Sequence, residues 1–205
     1  MPSQILRRTD TQPRPALQLH PEISLPLARV HEACGPARRS FAMWLVRRTQ
    51  GPVIWIAPSW HPDQLNPDGV RDFVDPGRFL FVHPTRAEDL LWCMEEVLRA
   101  GAVALAVADL PGAPGLTPVR RMHLAAETGV GVGLHRPLGL LLTPGDGGAQ
   151  GIETRWHMAP CHSGKLRQWH LARRRARTQP PKTWLAQHPK RGAELVLAPP
   201  TQKGD

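Results

Sequence analysis

A glycine-containing segment in the first third of the chain stands where a phosphate-binding loop is expected. It reads Glu32-Ala-Cys-Gly-Pro-Ala-Arg-Arg-Ser-Phe-Ala42 and leads into an apolar helical pattern. In α/β proteins such a loop holds phosphate through backbone N–H groups, the dipole of the following helix and a lysine. The motif ends in Gly-Lys followed by Ser or Thr. Here Ser40-Phe41-Ala42 occupies those positions, so the sequence predicts a degenerate loop.

Each replacement in this loop removes one contribution to phosphate binding. Without the glycine the backbone approaches phosphate less closely, without the lysine no ammonium reaches it, and without the hydroxyl Mg²⁺ loses a ligand. We expect Phe41 to pack inward. Arg38 and Arg39 are able to supply a cation, but on a loop without its glycines they are predicted to be surface charges. The sequence therefore predicts no bound cofactor and no catalytic residue.

Asp109 ends an apolar, strand-like run over residues 102–108 and has two interpretations. A carboxylate at the end of a parallel strand can hold Mg²⁺ or polarise a water molecule. An aspartate shortly before Pro111-Gly112 is also an ordinary turn residue. Loss of the phosphate loop favours the turn interpretation. By the same reasoning, Glu32 is interpreted as a relic of a phosphate-binding site, without a function of its own.

The rest of the body alternates strand-like and helix-like patterns. Thr85 and Glu88 have the spacing of a capping box before the best helical pattern, and Gly101 is placed to end that helix. The alternation predicts right-handed crossovers and a mainly parallel sheet. Strands are predicted over 52–57, 79–83, 102–108, 130–134 and 138–143, and helices over 41–48, 87–100 and 118–128.

The sequence resembles known proteins at two levels, a broad one and a closer one. Glu32, Gly35 and Pro36, together with residues 94–109, resemble RecA-type recombinases, with Asp109 at the magnesium-associated position. More closely, the chain resembles the ImuA family of RecA-like proteins associated with translesion DNA synthesis, sometimes described as SulA-like. The matching stretches are 57–58, 65–69, 79–84, 89–92, 98–102, 120–127 and 154–156.

The resemblance implies a RecA-like three-layer α/β fold with a mainly parallel central sheet and a basic C-terminal extension. It also implies a non-catalytic accessory role in SOS-induced, error-prone translesion synthesis. The implied partners are an inactive Y-family polymerase-like protein, an error-prone replicative-type DNA polymerase and RecA itself. Two alternatives stay open, namely an ATPase that uses Arg38 or Arg39 with Asp109, and an SOS-linked inhibitor of cell division.

The net charge of +9 lies entirely in the C-terminal quarter. Residues 1–154 contain fifteen arginines and fifteen acidic residues, whereas residues 155–205 contain eleven basic residues against two acidic ones. Such asymmetry indicates either an acidic partner, DNA or protein, or a solvated tail. Trp156 and Trp169 are expected to pack in edge strands. The binding candidates are Arg173, Arg174, Arg175, Arg177, Lys182 and Trp184.

Three divisions of the chain are predicted: a flexible arm (1–22), the α/β domain (23–165) and a basic extension (166–205). The composition and the lack of a long apolar run predict a cytoplasmic protein without a membrane segment. Three cysteines without CxxC spacing argue against a disulfide framework. His157, Cys161 and His162 form a weak zinc pattern, and no metal site is predicted.

Overall fold

The chain folds around one large, mostly parallel sheet. The structure is a computed structural model that describes residues 14–60, 63–164, 166–187 and 194–200. Nine strands pair in the order β11-β10-β9-β8-β3-β7-β6-β4-β5, and a separate hairpin pairs β1 with β2. The contacts from β8 through β3 to β5 are parallel, and those from β8 to β11 are antiparallel. The protein is therefore a mixed α/β fold.

The elements follow one another in the order that a crossover fold requires. The strands are β1 (Ala16–His20), β2 (Ile23–Pro26), β3 (Val30–Cys34), β4 (Val53–Ile56), β5 (Phe79–Val82), β6 (Leu105–Asp109), β7 (Leu138–Thr143), β8 (Thr154–Pro160), β9 (Gln168–Ala176), β10 (Lys182–Gln187) and β11 (Val196–Ala198). The helices are α1 (Arg38–Arg47), α2 (Pro67–Arg71), α3 (Ala87–Ala100) and α4 (Leu116–Val132).

Two apolar clusters cover the two faces of the sheet. On one face, α3 and α4 pack over β6 and β7 through residues such as Met94 and Met122. On the other face, α1 and the β1–β2 hairpin pack over the sheet, and α1 buries every residue from Phe41 to Val46. A run of buried residues this long is compatible with a helix because the sheet, the hairpin and the strands β8 and β9 surround it.

The predicted strand over 130–134 is wrong, because α4 continues to Val132. The physical reason lies in the close contacts of Gly129, near the end of α4, and of Gly133, just after it. A Cβ on Gly129 would lie 2.1 Å from the carbonyl oxygen of Leu98, and one on Gly133 would lie 2.4 Å from that of Gly101. These glycines let the end of α4 touch the end of α3, where Gly101 adopts the predicted left-handed conformation (φ 58°). The predicted helix over 87–100 is confirmed.

The predicted capping box at Thr85 is also wrong. The residue before α3 is Arg86, and no side chain caps the helix. The carboxylate of Glu88 instead pairs with the guanidinium of Arg86, two residues away. An exposed arginine next to the helix start thus competes with the backbone for the glutamate on which the motif depends.

The outer boundaries of the sheet differ from those expected. β1 lies within the segment predicted as an arm, with Leu19 buried, while residues 1–13 lie outside the described part. Residues 168–187, predicted as an extension, form β9 and β10 of the main sheet. Their inward residues Trp169, Leu171 and Trp184 belong to the core below α1 and the hairpin.

Candidate phosphate-loop site

The predicted loop residues lie at the carboxyl end of the parallel strands. β3 runs between β7 and β8 and is parallel to both, and β6 lies on the other side of β7. Asp109 at the end of β6 and Gly35 after β3 therefore meet along one edge of the sheet. This edge is where open α/β sheets bind ligands.

The loop itself is short and closed. β3 ends at Cys34 and α1 begins at Arg38, so only Gly35-Pro36-Ala37 connects them. Gly35 has φ 86°, and a Cβ there would lie 2.6 Å from the carbonyl oxygen of Met158. Its N–H donates to the carbonyl of Gly145 at 2.8 Å, and that of Ala37 donates to the carbonyl of Met158 at 3.0 Å. Backbone donors that a phosphate loop would present to its ligand are thus bound to neighbouring strands and loops.

The position of the missing lysine points into the core, as predicted. Phe41 is fully buried, and its ring stacks on Trp156 with the ring centres 5.6 Å apart. Ala42 is buried beside it. The predicted helix start at residue 41 is too late, because Arg38, Arg39 and Ser40 already form the first turn. Three residues that a phosphate loop keeps in irregular backbone are therefore helical here.

The two arginines of this turn face Asp109 and are not the free surface charges expected. Nε of Arg39 donates to Oδ2 of Asp109 at 2.7 Å, and a terminal nitrogen of Arg38 lies 3.6 Å from Oδ1. Asp109 is only 3% exposed, so it is not an ordinary exposed turn residue. Arg39 also donates to the backbone carbonyl of Asp63. The arrangement neutralises the carboxylate and joins α1 to β6.

Glu32, interpreted as a relic, has a clear structural role. Its fully buried carboxylate accepts hydrogen bonds from Oγ1 of Thr143 at 2.7 Å and from the backbone N–H of Gly148 at 2.8 Å and of Ala149 at 3.1 Å. Its other oxygen accepts a hydrogen bond from Nε of Arg155. These donors satisfy a charge that would otherwise be costly to bury, and they hold β3, β7, β8 and the loop before β8 together.

Two of the predicted binding residues of the basic segment are buried. Trp184 is 2% exposed and stacks on Trp156. The guanidinium of Arg173 lies 5.8 Å from the ring centre of Trp156 and 5.3 Å from that of Trp184, and it donates to the carbonyl of Pro180. Trp184 therefore packs in the core like Trp169, which corrects the prediction that it is an interaction residue. Trp156 is fully buried in β8, inside the sheet and not at its edge.

The other four basic candidates are exposed, and three of them have acidic partners. Arg174 pairs with Asp146, Arg177 lies 3.5 Å from Glu153, and Lys182 pairs with Glu22. Arg175 is exposed on β9. Lys182 pairs with a residue of the β1–β2 hairpin, whereas Arg177 lies beside the residue before β8, so the structure does not gather the four into one patch.

The predicted weak zinc pattern does not converge. His157 lies near Asp146, whereas Nδ1 of His162 accepts the N–H of Gln168. Within the described residues, no three His, Cys, Asp or Glu side chains are grouped as metal ligands would be. Burial, together with the nearby Glu32, raises the pKa of Cys34 to about 11, so this thiol near the loop is held protonated.

Sequence reasoning missed the residues that brace the site. Arg155 and Thr143 hold Glu32, and Gly145 and Met158 supply carbonyls to the loop. Arg155 lies in a stretch, residues 154–156, that contributes to the family resemblance, and this was the one available signal. The carbonyl contacts carry no signal, because any residue type provides them.

The comparisons with known proteins give little further identification. No protein-family model matches the chain, and no curated protein matches it. Among solved structures, the crystal structure of SulA from Pseudomonas aeruginosa matches with a TM-score of 0.46 and 20% sequence identity. The match covers 58% of this chain and 100% of that one. Among the described helices, none has the length and apolar character needed to cross a membrane.

Proposed function

We propose that this protein is a non-catalytic accessory factor of SOS-induced, error-prone translesion DNA synthesis. In this proposal it is a RecA-like scaffold with a degenerate phosphate loop that docks polymerase partners. The translesion role comes from the sequence resemblance to the ImuA family. The closed turn at Gly35 carries the non-catalytic part of the proposal.

The geometry of the turn supports this for three reasons. The N–H groups of Gly35 and Ala37 donate to protein carbonyls, so a phosphate would have to break both bonds. The side chain at the lysine position, Phe41, is buried. The carboxylate at the magnesium position, Asp109, is bound by Arg39, and a guanidinium in that place opposes a divalent cation. Each feature removes one requirement of phosphoryl transfer.

The partners proposed are the inactive Y-family polymerase-like protein, the error-prone replicative-type polymerase and RecA. The surface offers exposed apolar side chains for such contacts, among them Leu80 and Phe81 on the edge strand β5. Exposed basic residues on β9, such as Arg174 and Arg175, allow contact with DNA phosphates. An accessory protein needs docking surfaces and no reaction centre.

Equilibrium binding of labelled ATP with Mg²⁺ tests the non-catalytic part. We expect no saturable binding at micromolar ATP, with a recombinase that has an intact Gly-Lys-Thr loop as the positive control. Micromolar binding that is lost in Asp109→Ala would contradict the proposal and support the ATPase alternative.

Affinity purification from DNA-damaged cells tests the accessory role. We expect tagged protein to recover a polymerase or polymerase-like partner. In the charge-reversed Arg174→Glu/Arg175→Glu variant, recovery that depends on DNA should fall, whereas recovery through direct protein contact should be unchanged. Recovery of septal proteins without any polymerase would support the division-inhibitor alternative.

A further inference from the structure

The outward side of α4 carries an unusual set of exposed apolar residues. Leu116, Leu124 and Val132 are 36%, 63% and 72% exposed, and their eight-residue spacing rotates each by about 80° around the helix from the one before. Leu134, just beyond the helix, is 91% exposed. The inward side of α4 is already buried against α3 and the sheet. Large apolar side chains that stay exposed beside a cleft are candidates for a protein-contact surface.

Two of these residues, Leu116 and Leu124, border a cleft of about 380 Å³, here called the α4 cleft. Leu116 and Leu124 supply its apolar part, and Gly151 closes it on the side of the loop before β8. Charged and polar side chains form the remaining wall. They are Arg29, Arg120, His123, Glu127 and Arg177.

The arginines of the cleft keep N–H donors for an additional acid. Arg120 is exposed and makes no hydrogen bond or ion pair with any described residue. Nε of Arg177 lies 3.5 Å, and Nε of Arg29 3.7 Å, from Oε2 of Glu153. This oxygen is buried and accepts no hydrogen bond, so neither guanidinium is bonded to it. Arg29 has a second acidic partner, because its guanidinium also pairs with Glu127.

His123 gives the cleft a fixed, uncharged wall. Its Nε2 donates to the carbonyl of Gly151 at 3.1 Å, and its Nδ1 accepts the N–H of Val30 at 3.3 Å. Burial lowers the pKa of His123, and the positive Arg29 lowers it further, which keeps the ring neutral. The charged groups that line the cleft are three guanidiniums and the carboxylate of Glu127. The buried carboxylate of Glu153 lies next to Arg29 and Arg177, which leaves one positive charge in excess.

We propose that the α4 cleft binds a short segment of a partner protein in which leucine side chains are flanked by carboxylates. Aliphatic side chains pack on Leu116 and Leu124, and the carboxylates accept bonds from Arg120 and Arg177. This inference deepens the proposed docking role and rests on it. Charge complementarity selects an acidic segment, and the lack of Trp, Tyr and Phe side chains in the lining disfavours single-stranded nucleic acid, which stacks best on such rings.

The test measures fluorescence anisotropy of a labelled peptide, Glu-Asp-Leu-Glu-Glu-Leu-Asp-amide, with the full-length protein. We expect saturable, salt-sensitive binding that weakens about tenfold in Arg120→Glu and in Leu124→Ser. Both residues are exposed, so the variants should fold. The matched controls are Arg71→Glu on α2 and Leu166→Ser before β9, which are exposed, lie outside the cleft and should bind as the wild type does. A second peptide with serine in place of leucine should bind weakly.

Three results would overturn the proposal. One is no binding of the peptide, or binding that Arg120→Glu leaves unchanged. Another is a single-stranded oligonucleotide that displaces the peptide and binds in an Arg120-dependent manner. The third is a wild-type dimer in sedimentation that Leu124→Ser dissociates, which would assign the cleft to self-association. Peptide binding together with recovery of no polymerase from cells would retain the cleft and reject the translesion role.

Discussion

Nε of Arg39, in the first turn of α1, lies 2.7 Å from Oδ2 of Asp109 at the end of β6. In the recombinases that the sequence resembles, these two places belong to the phosphate loop and the magnesium-associated strand. Here the two residues are joined directly, with Arg38 on the second carboxylate oxygen. A contact within the protein thus takes the place of contacts to a ligand.

Asp109→Ala should destabilise the fold. The substitution leaves the half-buried Arg38 and Arg39 without their shared carboxylate, and we expect a loss of about 2 kcal/mol in the free energy of unfolding. Urea denaturation measures it. Asp72→Ala is the control, because Asp72 and its partner Arg167 are both more than half exposed and should contribute little. Equal effects of the two substitutions would contradict a structural role for Asp109.

Gly35→Ala should also destabilise the protein. Alanine is strained at φ 86°, and its Cβ would collide with the carbonyl oxygen of Met158. We expect a loss of about 2 kcal/mol in unfolding free energy, measured by thermal or urea unfolding. Gly112→Ala is the matched control, since nothing lies within 4 Å of a Cβ there. A neutral Gly35→Ala variant would show that the turn is open in solution.

Stability should fall on acidification because of His31. The buried ring bonds Oγ1 of Thr154 and the carbonyl of Pro26, and burial lowers its pKa to about 4. Since the unfolded chain binds the proton near pH 6.5, the folded state loses stability as the pH falls from that value towards 4. The expected loss is about 3 kcal/mol.

Urea unfolding across this pH range measures the effect. His31→Gln should flatten the profile, whereas the exposed His170→Gln should retain it. An unchanged slope in His31→Gln would assign the acid sensitivity to other groups.

Removal of residues 166–205 should unfold the domain and not merely delete an extension. β9 and β10 pair with the main sheet, and Trp169 and Trp184 lie in its core. We expect the truncated chain to lose its cooperative unfolding transition in circular dichroism. Trp184→Ala alone should cost about 4 kcal/mol. A cooperatively folded truncation would show that the strands β1 to β8 are sufficient.

Much of the fold could be predicted from the sequence where local pattern and final environment agree. The strand at β7 and the helix α3 are of this kind, since β7 is buried throughout and the helical repeat of Leu90, Met94 and Leu98 faces the core. The end of α4 was missed because Gly129 serves a helix–helix contact that no local pattern encodes. β9 falls within the predicted extension because the excess of basic residues lies there. The burial of Arg173 between two tryptophans depends on contacts distant in sequence, which the charge pattern does not reveal.

The sequence predicts which residues form the candidate site but not the contacts between them. The loss of the lysine and the inward side chain of Phe41 followed from residue types alone. The pairing of Arg39 with Asp109 spans seventy positions, and the hydrogen bonds that close the turn are made by backbone carbonyls. Neither the ion pair nor these backbone hydrogen bonds can be predicted from the spacing of residues in the sequence.

The burial of Phe41 makes the loss of the phosphate loop hard to reverse by point mutation. Phe41→Lys would supply the lysine of the motif, but it would place an ammonium between Trp44 and Trp156 in the core, at a large desolvation cost. To recover a phosphate cradle, the chain would need extra residues between β3 and α1, so that the helix begins later and the lysine faces outward. Substitutions alone therefore cannot convert this turn into an ATP-binding loop, because the change also requires an insertion that repositions the start of α1.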